Sequence, residues 1–99
     1  MARRPARPTK LLNEMRRNPR ADWRIEQLES VARAYEVNVR QGHGSHVVFE
    51  HPRLIQALSV PARRPIKPVY IRRFVALIES IEAIEAADAR RGGIIDDEL

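Results

Sequence analysis

The apolar residues of this chain change period twice, and that change restricts the folds open to it. From Ile25 through Leu28, Val31, Ala32 and Tyr35 they recur every three or four positions, as on a helix lying against a core. After Glu36 the period drops to two. Val37 and Val39 alternate with Asn38 and Arg40, and Val47 and Phe49 alternate with His46, Val48 and Glu50. A third run, "ALSV", sets Leu58 and Val60 on one side and Ser59 on the other. From Tyr70 the helical period returns through Phe74, Leu77, Ile78, Ile81 and Ile84, the strongest amphipathic stripe of the chain. The expectation is an α+β fold in the order helix, three strands, helix. The strands form an antiparallel meander, and both helices cover one face of it. Val48 is the awkward member, apolar on the face expected to be open.

Punctuation supplies the boundaries. Asp22 suits the N-cap of the first of these helices, and Pro68 sits well at the start of the last. Ahead of them, Thr9 caps a short helix with Leu11, Leu12 and Met15 on one side. Pro19 disfavours helix at Asn18, so that helix stops near Arg17. Residues 1–8 are Arg/Pro-rich and read as disordered. The chain therefore divides into a basic N-terminal arm with a short helix (1–21), a folded domain (22–87) and a flexible C-terminal tail (88–99).

With 99 residues there is room for one core only. No cysteine is present, which removes disulfide frameworks and thiolate metal sites. The N-terminus lacks the apolar segment of a signal peptide, and no apolar run approaches membrane-spanning length, so a cytoplasmic protein without membrane contact is expected. The net charge of +5 is unevenly spread. Met1 to Arg20 holds seven basic groups against Glu14 alone. His51 to Arg73 holds Arg53, Arg63, Arg64, Lys67, Arg72 and Arg73 with no acid, while the remaining segments are each acidic. Two basic blocks on an otherwise acidic chain point to a polyanion, and nucleic acid is the natural one.

All three histidines fall in "GHGSHVVFEHP", Gly42 to Pro52. His46 opens the second strand, where it is either a strand histidine satisfied by a backbone partner or an acid/base group, its ordinary pKa being about 6.5. His43 between two glycines reads as a solvated turn residue or a helper in placing phosphate. His51 before Pro52 reads as a strand-end residue or a second proton-transfer group. The turn and the strand point the three apart, and structural zinc sites usually need four ligands, so no metal and no cofactor is expected. Tyr35, Tyr70 and Phe74 lie on buried stripes and are core. Trp23 lies off its stripe and is expected to pack against the short first helix rather than stack on bases. Glu79, Glu82 and Glu85 form either a solvated helix edge or a docking surface for a basic patch.

Gly44-Ser45-His46 at the head of the second strand, Phe49 within it, Val60-Pro61 closing the third and Pro65-Ile66-Lys67 leading into the last helix together resemble the HicA toxin family of bacterial toxin–antitoxin modules. The likeness covers about Asp22 to Ile84. It implies a double-stranded-RNA-binding-domain-like (dsRBD-like) fold, activity as an mRNA interferase (a small ribonuclease), and a HicB-like antitoxin protein as partner. Of the histidines only His46 matches the family's catalytic position. The longer N-terminal segment and the Gly/Asp tail depart from the compact members of the family.

RNA carries its own nucleophile, the 2′-hydroxyl. Cleavage needs that proton removed, the leaving 5′-oxygen protonated and the phosphorane charge stabilised, and none of these steps requires a metal in principle. His46 is the expected general base or acid, a role that contributes typically ~10²–10⁴-fold. Arg63, Arg64 and Lys67 are expected to hold the scissile phosphate, with Arg40 and Ser45 completing the RNA-binding set. Two other classes fit the same residues: a non-catalytic RNA-binding module, and a toxin seen mainly in its antitoxin complex, where an acidic partner covers the basic loop.

Overall fold

Leu12 and Met15, in the segment read as an arm, are each only 1% exposed. The computed structural model describes residues 4–98. In it the first helix, α1, spans Ala6–Arg17. Two prolines that suggested disorder are compatible with this start. Pro5 is the N-cap and Pro8 falls in the first turn, where a backbone N–H has no helical partner to lose. The expectation of a disordered 1–8 is thereby corrected for Arg4 to Pro8, whereas Met1 to Arg3 lie outside the described residues. Thr9 is inside the helix, its hydroxyl directed at the Pro5 carbonyl at 3.4 Å.

The second helix, α2 (Ile25–Ala34), begins later than Asp22 suggested. Arg24 takes the N-cap position, with its backbone N–H donating to Gln27 Oε1 at 2.9 Å. Asp22 is not the cap because its carboxylate is engaged by Arg64. Leu28, Val31 and Ala32 are buried along the expected stripe. At the far end, Val37 N–H donates to Ala32 O at 2.9 Å and Glu36 N–H to Arg33 O at 3.2 Å, the Schellman closure of a helix. That closure needs a left-handed residue, and here it is Glu36 at φ 60° where glycine is usual.

Three strands follow: β1 (Asn38–Gln41), β2 (His46–Glu50) and β3 (Leu58–Pro61). They pair antiparallel in the order β1-β2-β3, with Val39 opposite Phe49, Phe49 opposite Leu58, and Val47 opposite Val60. Val47, Phe49 and Val60 enter the core with Val37, and Val39 and Leu58 pack against its margin. The expected inward set is therefore the observed one. Val48 is 8% exposed yet does not belong to that core. It sits between Arg40 and Ser59 on the outer face, where Gly42 folds over it; a Cβ on Gly42 would lie 3.0 Å from Val48 Cγ2.

The last helix, α3 (Pro68–Glu98), supplies Ile71, Phe74, Ile78 and Ile81 to the core, and Phe74 meets Phe49 edge-on at 5.1 Å between ring centroids. It runs past Ala87, so the tail expected from Asp88 begins inside a continuous helix; Leu99 lies outside the described residues. Helix α1 packs on α2 and α3 behind the sheet. Its burial makes residues 6–17 part of the domain that was expected to begin at Asp22. No helix among the described residues is long and apolar enough to cross a membrane.

The glutamates of α3 dock the N-terminal basic residues. Arg16 reaches Glu79 at 2.9 Å and Glu82 at 3.1 Å, and Arg4 bonds Glu85 and the Ala34 carbonyl. Of the two readings open for Glu79, Glu82 and Glu85, the docking surface is the one realised, for the chain's own arginines.

Candidate functional site

The β1–β2 hairpin is built to hold the His46 ring against its own turn. Gly44 adopts φ +56°, a conformation glycine takes at no steric cost. His46 N–H then donates to the His43 carbonyl at 3.0 Å, and Gly42 N–H donates to the His46 carbonyl at 2.9 Å. The Gln41 side-chain amide adds bonds to the Gly44 and His46 carbonyls, both at 3.2 Å. His46 Nδ1 lies 3.1 Å from the same His43 carbonyl. A carbonyl only accepts, so that contact is a hydrogen bond when Nδ1 carries the proton. In the neutral ring this leaves the Nε2 lone pair for a substrate. The side chain is half-buried, on the outer face of the sheet, away from the helices.

His46 is paired across β2–β3 with Pro61, and one step further Ala62 N–H donates to the Ser45 carbonyl at 2.8 Å. The basic loop thus leaves β3 directly beside the Gly-Ser-His turn. Arg63 is exposed and has no ion-pair partner among the described residues, and the same holds for Lys67. Ser45 is exposed at the turn. The loop is pinned at its centre by Ile66, whose side chain is 2% exposed and whose N–H donates to the Trp23 carbonyl at 3.2 Å.

The other expected phosphate ligands are engaged within the chain. Arg40 pairs with Glu50 at 3.0 Å on the outer face. Arg64 clasps Asp22 through both Nε and Nη2. These arginines hold the Glu50 and Asp22 carboxyls below the usual carboxylate range, chiefly through the hydrogen bonds, and are themselves held more firmly protonated. The sequence expectation assigned Arg64 to RNA and Asp22 to a helix cap. Forty-two residues separate the two, and no local pattern announces such a pair.

Of the other histidines, one shares the turn with His46 and one does not. His43 is exposed in the turn. His51 accepts the Arg53 N–H on Nδ1 at 3.0 Å, at the opposite end of β2, roughly 16 Å from His46 along the strand. At that separation they cannot share one phosphodiester. Among the described residues, no three His, Cys, Asp or Glu side chains cluster as metal ligands. Trp23 is core: 5% exposed, its indole N–H donates to the carbonyl of Asn18, the C-cap of α1, at 2.8 Å. A concavity of about 780 Å³ lies towards the other end of α3, lined by Arg4, Pro8, Arg33, Glu36, Glu85 and Asp88. No family model, curated protein or solved structure matches this chain.

Proposed function

We propose that this protein is a cytoplasmic, metal-independent endoribonuclease of the HicA-like toxin kind, an mRNA interferase of dsRBD-like fold held in check by a HicB-like antitoxin. The observation that carries the reading is the placement of His46. Its ring is on the open sheet face, its Nδ1 is turned to the His43 carbonyl, and its strand partner Pro61 leads within two residues to Arg63. In the proposed step Nε2 of His46 takes the 2′-hydroxyl proton and the 2′-oxygen bonds to phosphorus. The bond to the 5′-oxygen then breaks, and that oxygen leaves protonated, by the imidazolium or by water. Arg63 and Lys67 bear the phosphorane charge. An acidic antitoxin surface would cover the same loop.

The test is RNA cleavage by purified protein in the presence of a chelator. The wild type is expected to cut, and His46→Ala, melting like the wild type, to cut about 10²–10⁴-fold more slowly. Equal cutting by a folded His46→Ala removes His46 from the mechanism. A second reading, an RNA-binding module without catalysis, is favoured by one feature: His51, the candidate second proton-transfer group, is at the far end of the strand from His46. RNA retention by the wild type without any cleavage would establish it.

A further inference from the structure

In the Asp22–Arg64 pair an expected phosphate ligand is closed by both oxygens of a carboxylate. Both Asp22 oxygens accept from the guanidinium, at 2.9 Å from Nε, with Nη2 on Oδ2 as well. A guanidinium fork binds a carboxylate and a phosphate through the same two parallel bonds. The pair stands in the open, with side-chain exposures of 54% for Arg64 and 53% for Asp22. Among the described residues the Asp22 carboxylate makes no other hydrogen bond, and it caps no helix. What it contributes locally is charge.

The surroundings favour an anion. The Ile66–Trp23 backbone bond brings the segment after α1, which carries Asp22 and Arg24, against the basic loop. Arg63 and Lys67 flank Arg64 in the chain, and Arg24 lies close enough to Asp22 for its charge to favour the ionised carboxyl. Glu26 is the acid that bears on Arg64 from the other side.

We infer that Asp22 is an intramolecular stand-in for an RNA phosphate: it closes the Arg64 fork in the free protein and is displaced when RNA binds the Arg63–Lys67 loop. The inference rests on the RNA-binding reading and adds a regulatory element to it. Arg64 is then a conditional ligand, and Asp22 sets the affinity at which the loop engages a backbone.

The experiment is a four-protein cycle: wild type, Asp22→Asn, Arg64→Gln and the double variant. Each is titrated with a 2′-O-methylated RNA oligomer, which lacks the hydroxyl needed for cleavage, over a range of salt, and each is melted to confirm folding. Asp22→Asn is expected to bind about threefold or more tightly at low salt, with a dependence of log affinity on log salt steeper by about 1. Arg64→Gln should bind more weakly than the wild type, and in its background Asp22→Asn should bring a clearly smaller gain. An equal gain in both backgrounds, or weaker binding by Asp22→Asn, overturns the inference; Asp22→Ser serves in its place if the asparagine variant does not fold. A wild type that does not bind the oligomer at low salt defeats the RNA reading and this inference together. A wild type that binds with a steep salt dependence, but shows no coupling in the cycle, defeats this inference alone.

Discussion

The Tyr35 hydroxyl donates to Glu82 Oε2 at 3.0 Å, tying the end of α2 to the middle of α3. The Arg4 guanidinium covers the same ring, 3.8 Å from its centroid. Burial, together with the Glu82 carboxylate, pushes the Tyr35 phenol above its ordinary value. A phenol raised in the folded state favours folding below its unfolded pKa and loses that contribution as pH rises. Stability is therefore expected to fall above about pH 10. Urea melts at neutral and alkaline pH check this. Tyr35→Phe should be about 1 kcal/mol less stable at neutral pH and should show a shallower alkaline decline.

Acid acts through different residues. Asp22, Glu50 and Asp88 are each held below the carboxylate range, first by a hydrogen bond from Arg64, Arg40 and Arg53 respectively. Their contribution is complete above the ordinary carboxylate pKa of about 4 and is lost as pH falls through the lowered folded values. The urea midpoint is expected to drop below about pH 4, and less so in the triple variant Asp22→Asn, Glu50→Gln, Asp88→Asn. An unchanged acid limb in the triple variant would contradict the assignment.

Leu12→Ala tests whether α1 belongs to the domain. A leucine 1% exposed, replaced by alanine, typically costs about 2–5 kcal/mol, against a total of about 5–15 kcal/mol for a protein of ordinary stability. Loss of cooperative unfolding, or a midpoint shift of that size, is expected by circular dichroism. An unaffected melt would return residues 1–21 to the status of an arm.

Glu36→Gly should stabilise. The left-handed conformation at φ 60° costs a non-glycine residue roughly 1–2 kcal/mol, offset in part by the entropy glycine loses on folding. A gain of about 0.5–1 kcal/mol in urea is expected, with no change in RNA binding.

Gly42→Ala is expected to act in the opposite direction. The new methyl group would meet Val48 Cγ2 at 3.0 Å and the His46 Cβ and carbonyl at 3.4 Å. Relieving that contact moves the hairpin from β2, at a cost of about 1–3 kcal/mol, and opens the His43–His46 contact. Imidazole nitrogen shifts of His46 by NMR report the contact directly; wild-type shifts in Gly42→Ala would show that the turn accommodates the methyl.

The apolar period made the sheet readable to the register of individual residues: Val47, Phe49 and Val60 point where alternation places them. The same rule left Val48 unexplained, because its cover comes from a glycine backbone that carries no hydrophobic signal. The N-terminal segment was misjudged since arginine and proline dominate its composition, while its burial depends on Leu12 and Met15 meeting two distant helices. For the site, pairing from β2 to β3 sets Pro61 and Ala62, where the basic loop begins, beside Ser45 and His46. What no local pattern could supply is the engagement of Arg40 by Glu50 and of Arg64 by Asp22. Both are choices among exposed opposite charges, made only once the chain is folded.

Because α1 is seated on α3 as well as on α2, the first helix to leave a ribosome completes its packing only when the last emerges. Arg4 and Glu85 are 81 positions apart, and Arg16 and Glu79 are 63 apart. At ~5–20 residues per second, the side of α1 that faces α3 stays uncovered for roughly 3 to 16 s of synthesis. During that interval the nascent protein carries a half-shielded greasy helix, a point at which chaperone capture or premature clumping would govern how much folded protein a cell accumulates.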